Sequence, residues 1–188
     1  MSGFEHVAFQ SLVRSGNTFL RRYLEMISGV YTGADMGIQM TVHEAMMGLL
    51  GQNITGESDR VWITKTHKPM DTPNSKGFHA SKMIVIARNP IDVIPSFANL
   101  VNTNSHSLEP NEQYHVDFPE FWDSFVRGFI EKTKTNHNVV VNKMSRSIPT
   151  YFMRYEDLKA NPKPALEELF CFLLDVPSIE NTNVQRRI

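Results

Sequence analysis

"SLVRSGNTFLRRYLE", residues 11 to 25, joins a short apolar run to a polar turn and then to an amphipathic helix. Upstream, His6 to Val13 reads as a strand. From Asn17 to Ser28, Phe19, Leu20, Tyr23, Leu24 and Ile27 share one helical face, with Arg21, Arg22 and Glu25 opposite and Gly29 as the stop. In such a strand–turn–helix unit the first free N–H groups of the helix point at the turn, and the helix dipole favours an anion there. Gly16 lets the backbone come close, and Arg14 adds a fixed charge with a planar donor fork. The stretch lacks the Gly-Lys-Ser/Thr ending of the familiar nucleotide loop. Alone, it reads equally as a phosphate loop and as an ordinary connection capped by Asn or Ser.

Outward from this unit the pattern repeats. Val61 to Thr66 (VWITKT) is a short strand, and Met83 to Ala87 (MIVIA) is a continuous apolar run suited to a central parallel strand buried on both faces. Asn89 then caps a helix with Pro90 at its first position and Asp92 in its first turn. Ile148 to Arg154 (IPTYFMR) is a further strand, and Asn161-Pro162 opens a last helix carrying Leu166, Leu169, Phe170 and Leu173. Thr41 and Glu44 form a capping-box pattern before Val42, Ala45, Met46, Leu49 and Leu50. Asp117 or Phe118 starts a helix with Phe121, Trp122, Phe125, Phe129 and Ile130 on its apolar side, and 102–116 lacks a period and reads as a loop. Alternating strands and helices predict an α/β fold of three layers, α/β/α, around a central parallel sheet.

In such sheets ligands bind at the carboxyl ends of the strands. Four features fall there: Arg14 to Thr18, Lys65 to His67, Arg88, and Tyr155 to Leu158. In Lys65-Thr66-His67-Lys68-Pro69, His67 is a general base facing a cleft, or a surface histidine in a basic loop. Arg88 ends a buried strand and needs a partner, either a phosphate or a carboxylate such as Asp92 or Asp157. Ser96 lies two turns along the helix that follows. Tyr155-Glu156-Asp157 has a plain reading too, as an aromatic packed at a strand end before an acidic helix start.

Composition narrows the classes. The 188 residues fit one domain over 1–188, with a core at about 7–174 and a tail at 175–188. Nineteen Lys and Arg against twenty Asp and Glu, net charge -1, argue against a general nucleic-acid binder. The single Cys171 excludes an internal disulfide and fits a reducing compartment. No apolar run approaches the roughly 18 residues of a membrane span, and MSGFEHVAFQ has no signal-peptide pattern, so a cytoplasmic location is expected. The seven His and one Cys form no convincing metal-ligand cluster, and His106, His115 and His137 read as surface or loop residues.

Taken together, the four features resemble the sulfotransferases that use 3′-phosphoadenosine 5′-phosphosulfate (PAPS), a family with a P-loop NTPase-like fold. "RSGNT" is similar to the family's 5′-phosphosulfate loop, "KTHKP" to the segment with its catalytic histidine, and "RNPIDVIPS" to its 3′-phosphate motif, an Arg followed eight residues later by a Ser. "RYEDLKANPKPALEELFCFL" is similar to the segment after a later core strand, and the four occur in the family's order. The resemblance implies Arg14 at the bridging oxygen of the donor, and Ser15, Gly16, Asn17 and Thr18 around its 5′-phosphate. It implies Arg88 and Ser96 at the 3′-phosphate, with Phe19 and Tyr155 near the adenine. It implies His67 as general base and Lys65 beside the transferred group. PAPS would be the co-substrate, with no metal, and a small molecule or glycan would offer the hydroxyl or amine acceptor.

Three features depart from the family pattern. The sequence ends at "NTNVQRRI" without the Gly- and basic-rich segment that closes over the nucleotide, leaving Arg186 and Arg187 as substitutes or as solvated tail. Pro95 inside the helix predicts a kink, costing about 3 kcal/mol, that turns Ser96 aside. Arg14 holds its proton, so it serves only as charge and donor. A non-catalytic nucleotide-binding or interaction domain is therefore the alternative to an enzyme. A small-molecule kinase is disfavoured by the missing Gly-Lys-Ser/Thr and by the lack of a magnesium-binding acid after a strand. Residues 31–60 and 102–147 are expected on the acceptor side, with Trp122 and Phe125 read as core.

Overall fold

The structure, a computed structural model, describes residues 5–36, 48–54, 56, 58–70, 75–103 and 114–188. Five strands form one parallel sheet: β1 (Val7–Ser11), β2 (Thr32–Ala34), β3 (Ile63–Thr66), β4 (Lys82–Ala87) and β5 (Thr150–Arg154). Their order is β2-β3-β1-β4-β5. The helices are α1 (Asn17–Ser28), α2 (Pro90–Thr103), α3 (Tyr114–Asp117), α4 (Pro119–Asn142), α5 (Tyr155–Ala160), α6 (Pro162–Leu174) and α7 (Asn183–Arg187).

Alternation along the strands sorts side chains to the two faces. Val7, Phe9, Ile84 and Ile86 pack with Leu20, Leu24 and Ile27 of α1 and with Leu166, Leu169 and Phe170 of α6. Ala8, Met83 and Val85 pack against Val140 of α4, and Val93 and Ile94 of α2 meet Phe129. The three-layer fold expected from the sequence is therefore present, with MIVIA as a strand buried on both sides. Each such fully buried aliphatic contributes about 1.5–3 kcal/mol. Lys82, at the start of β4, bonds Asp175 and the Leu173 carbonyl and so fastens the end of α6 to the sheet.

Several local expectations change. β1 is shorter than His6 to Val13. β2 went unseen because Thr32-Gly33-Ala34 has neither length nor an apolar run. Arg21 is buried rather than on a solvent face, because α1 packs against β2 there: Nε donates to Thr32 Oγ1 (2.7 Å), Nη2 to Thr32 O (2.9 Å) and Nη1 to Gln52 Oε1. Phe19 and Ile130, expected on apolar faces, are 37% and 46% exposed. The 41–50 helix lies largely outside the described residues, and Gly48 to Leu50 form a turn. Within 102–116, α2 runs on to Thr103 and α3 begins at Tyr114. Among the described residues no helix is long and apolar enough to cross a membrane.

The topology fixes where a ligand can sit. From β1 the chain moves to β2 and β3 on one side, then to β4 and β5 on the other. That reversal opens a crevice at the carboxyl end of β1.

Candidate active site

The turn after β1 is built around two left-handed residues. Arg14 has φ 61° and Gly16 has φ 90°. A Cβ on Gly16 would run into the Tyr155 ring, so glycine is required there both by backbone and by space. Ser15 is buried behind the turn and donates its N–H to Leu12 O (3.3 Å). The expected Asn or Ser cap is not made. Asn17 instead donates through Nδ2 to Ser11 Oγ (2.9 Å), tying the helix start to the strand end. The first turn of α1 has no side-chain cap and no acidic residue, so its amides face the crevice ready for an anion.

Three other strand ends converge on this turn. Arg14 Nε donates to Ser96 Oγ (2.8 Å), and Arg88 Nη1 donates to Arg14 O (2.9 Å). The helix is continuous through Pro95, which is exposed beside exposed Ile91, whose carbonyl loses the Pro95 bond at the solvent surface; Ser96 still lines the crevice. The Arg88 guanidinium lies 4.7 Å from the Tyr155 ring centre. Neither Asp92 nor Asp157 pairs with it among the described residues, and its buried Nε has no partner there. Burial, and next the charge of Arg88, hold the Arg14 guanidinium below its usual value. Glu156 accepts from Asn89 N–H (2.8 Å), which anchors the start of α5 to the turn after Arg88.

His67 is not a surface residue, being only 7% exposed. Its Nδ1 lies 2.7 Å from Ser11 O. A carbonyl only accepts, so the neutral ring carries its proton on Nδ1 and keeps a lone pair on Nε2. Burial first, then the charge of Lys65, push its pKa down to about 4. The ring is therefore neutral at pH 7.

These groups enclose a cleft of about 300 Å³ lined by Arg14, Gly16, Asn17, Thr18, Phe19, Lys65, His67, Arg88 and Ser96. Of the expected site residues, Ser15 lies behind it, and Tyr155 packs on Gly16 and Arg88 at its side. Among the described residues the lining holds three cations and no carboxylate, which favours an anionic ligand. Val13 and Leu100 complete the wall and carried no sequence signal beyond apolarity. Among the described residues, none from 31–60 or 102–147 lines it. Trp122 and Phe125 pack on the α2–α4 cluster. Arg187 is bonded to Ile27 O (3.0 Å), at the far end of α1, about 18 Å along the helix from the turn. Among the described residues no group of three or more His, Cys, Asp or Glu is placed to hold a metal ion.

Fold and cleft together define an α/β protein that presents cations and helix amides at the carboxyl ends of a parallel sheet. The sequence model of the family described as "Sulfotransferase domain" matches residues 10–184, and the chain belongs to that family. It is 31% identical over 117 residues to sulfotransferase 1A1 of Rattus norvegicus, covering 59% of this chain and 37% of that protein. The matched stretch thus spans little more than a third of the relative's length. Among solved structures, the sulfotransferase domain from the curacin biosynthetic pathway superposes with a TM-score of 0.57 at 18% identity, covering 92% of this chain and 74% of that one. Retinol dehydratase, solved in complex with androsterone and inactive cofactor PAP, gives 0.56 at 19% identity, covering 97% and 62%.

Proposed function

We propose that the chain transfers a sulfuryl group from PAPS to a hydroxyl or amine of a small-molecule or glycan acceptor. The observation that carries this reading is the meeting, in one cleft, of a neutral histidine with Lys65, Arg14 and the uncapped start of α1. The PAP bound to a structural neighbour supports the choice of nucleotide.

In this reading Arg14, Gly16, Asn17 and Thr18 hold the 5′-phosphosulfate with Ser15 backing the turn, Arg88 and Ser96 hold the 3′-phosphate, and Phe19 and Tyr155 lie beside the adenine. His67 Nε2 takes the acceptor proton as the acceptor atom bonds to sulfur. The bond from sulfur to the phosphate oxygen breaks, and the electron pair stays on the phosphate. Arg14 and the α1 amides neutralise that charge, while Lys65 faces the sulfuryl oxygens. A negative donor in the cleft also offsets Lys65, which raises the proton affinity of His67 when the base is needed.

Calorimetry with 3′-phosphoadenosine 5′-phosphate, followed by transfer of labelled sulfate to an acceptor panel, tests this. Saturable binding and transfer are expected. No binding at millimolar nucleotide would overturn the reading, and binding without transfer to any acceptor would leave a nucleotide-binding domain.

A further inference from the structure

Asp35 follows β2 and is fully buried, although nothing in its sequence context marks it. Four hydrogen bonds surround it. Its N–H donates to Lys65 O (2.9 Å), and its carbonyl accepts from Lys76 N–H (2.7 Å). Its Oδ2 accepts from Thr66 Oγ1 (2.7 Å) and from Ser75 Oγ (2.8 Å). Thr66 directly precedes His67, and Ser75 lies further along the chain. Thr66 Oγ1 in turn accepts from Lys68 N–H (3.0 Å), so both neighbours of His67 are tied back to one carboxylate. An antiparallel bridge between Met36 and Ser75 reinforces the tie to Ser75.

We infer that Asp35 is a positioning residue for His67: it holds Thr66, through Thr66 the N–H of Lys68, and Ser75, and so sets the backbone on which the ring is aimed. Ser11 O fixes the ring and Asp35 fixes the chain on either side of it. Thr66 alone would not do this, because its hydroxyl needs an acceptor when it receives the Lys68 N–H. The outer oxygen, Oδ1, is buried without a partner among the described residues. A buried carboxylate oxygen left without a partner is unfavourable, so Asp35 is not there for the stability of its own surroundings. The charge has a second effect. Lys65 on β3 and Arg21 on α1 oppose protonation of His67; Arg14 and Arg88 line the same cleft, and Lys68 is the next residue in the chain. Asp35 is the acid that opposes them.

The activity arm of the test rests on the sulfuryl-transfer reading above; a spectroscopic arm does not. Asp35→Asn keeps the shape and removes the charge. It is expected to lower transfer at saturating donor by about tenfold or more while PAP binding stays within about twofold. The His67 ring, followed by NMR, should titrate at lower pH than in the parent chain. Ser75→Ala removes one anchor with Asp35 in place and reports even where Asp35→Asn does not fold. It should lower transfer at saturating donor, leave PAP binding unchanged and shift the His67 ring signals. Unchanged His67 titration and ring signals in these variants would overturn the inference whether or not the chain transfers sulfate. If wild type neither binds PAP nor transfers sulfate, the function reading alone falls, and a shifted His67 titration still upholds the role of Asp35.

Discussion

The two ends of α1 are built to opposite purposes. At its start, Gly16 is the boundary residue, no side chain caps the first turn, and Asn17 turns away to Ser11. At its end, Gly29 N–H closes on Glu25 O (2.9 Å) and Arg187 donates to Ile27 O (3.0 Å). A helix needs both ends satisfied, by its own chain or by something else. The closed end places a cation where the dipole is negative. The open end gathers Arg14, Arg88 and Lys65 around amides that have no acid beside them among the described residues. The same contrast separates two arginines. Arg21, buried against β2, spends its donors on Thr32 and Gln52, whereas Arg88 keeps Nε without a partner among the described residues. The first is structural; the second is available to a ligand.

The comparison can be broken at either end. The largest effect is expected at the open one. His67→Ala should cut sulfate transfer by about 10²–10⁴-fold with PAP binding retained, measured by initial rates and calorimetry. Unchanged rates would remove His67 from the chemistry. Gly16→Ala should destabilise the fold by about 1–3 kcal/mol in denaturant titrations and weaken PAP binding, because it meets both a left-handed backbone and the Tyr155 ring. Adding Tyr155→Ala should return the steric share of that loss and leave the backbone share.

Protonation gives a third measurement. The folded pKa of His67, about 4, lies below its ordinary 6.5, so the unfolded chain takes up a proton first as pH falls. Its stabilisation is present above pH 6.5 and is lost on the way down to about 4. Between pH 7 and pH 5 this amounts to about 2 kcal/mol, and His67→Asn should flatten that part of the stability curve. At the closed end the effect is smallest. Arg187→Ala should cost about 0.3–1 kcal/mol and leave PAP binding unchanged. A change in nucleotide affinity there would contradict the division of the helix into a binding end and a structural end.

Much of this was legible in the residues. Periodicity and caps exposed β1, β3, β4 and β5, and strand ends pointed to the residues that line the cleft. What escaped has identifiable causes. β2 is three residues with a central glycine, so it has no period to read. Arg21 looked solvated because helical spacing cannot tell that a second element covers the polar face of α1. Asp35 stands alone in its stretch, and its importance arises from contacts with Thr66 and Ser75, far along the chain. Pro95 suggested a diverted Ser96, yet its unbonded carbonyl partner lies at the surface and the helix continues. His67 gave no hint of its burial, which the Ser11 carbonyl and its neighbours impose.

The contact between Gly16 and Tyr155 has a temporal side. The turn emerges during synthesis well before the ring that rests on it, which arrives only after β5. Until then the turn has no roof and Arg88 no aromatic neighbour. A nascent chain therefore carries the makings of an anion site long before it can shape one, and the emergence of β5 with Tyr155 is the event that matures it.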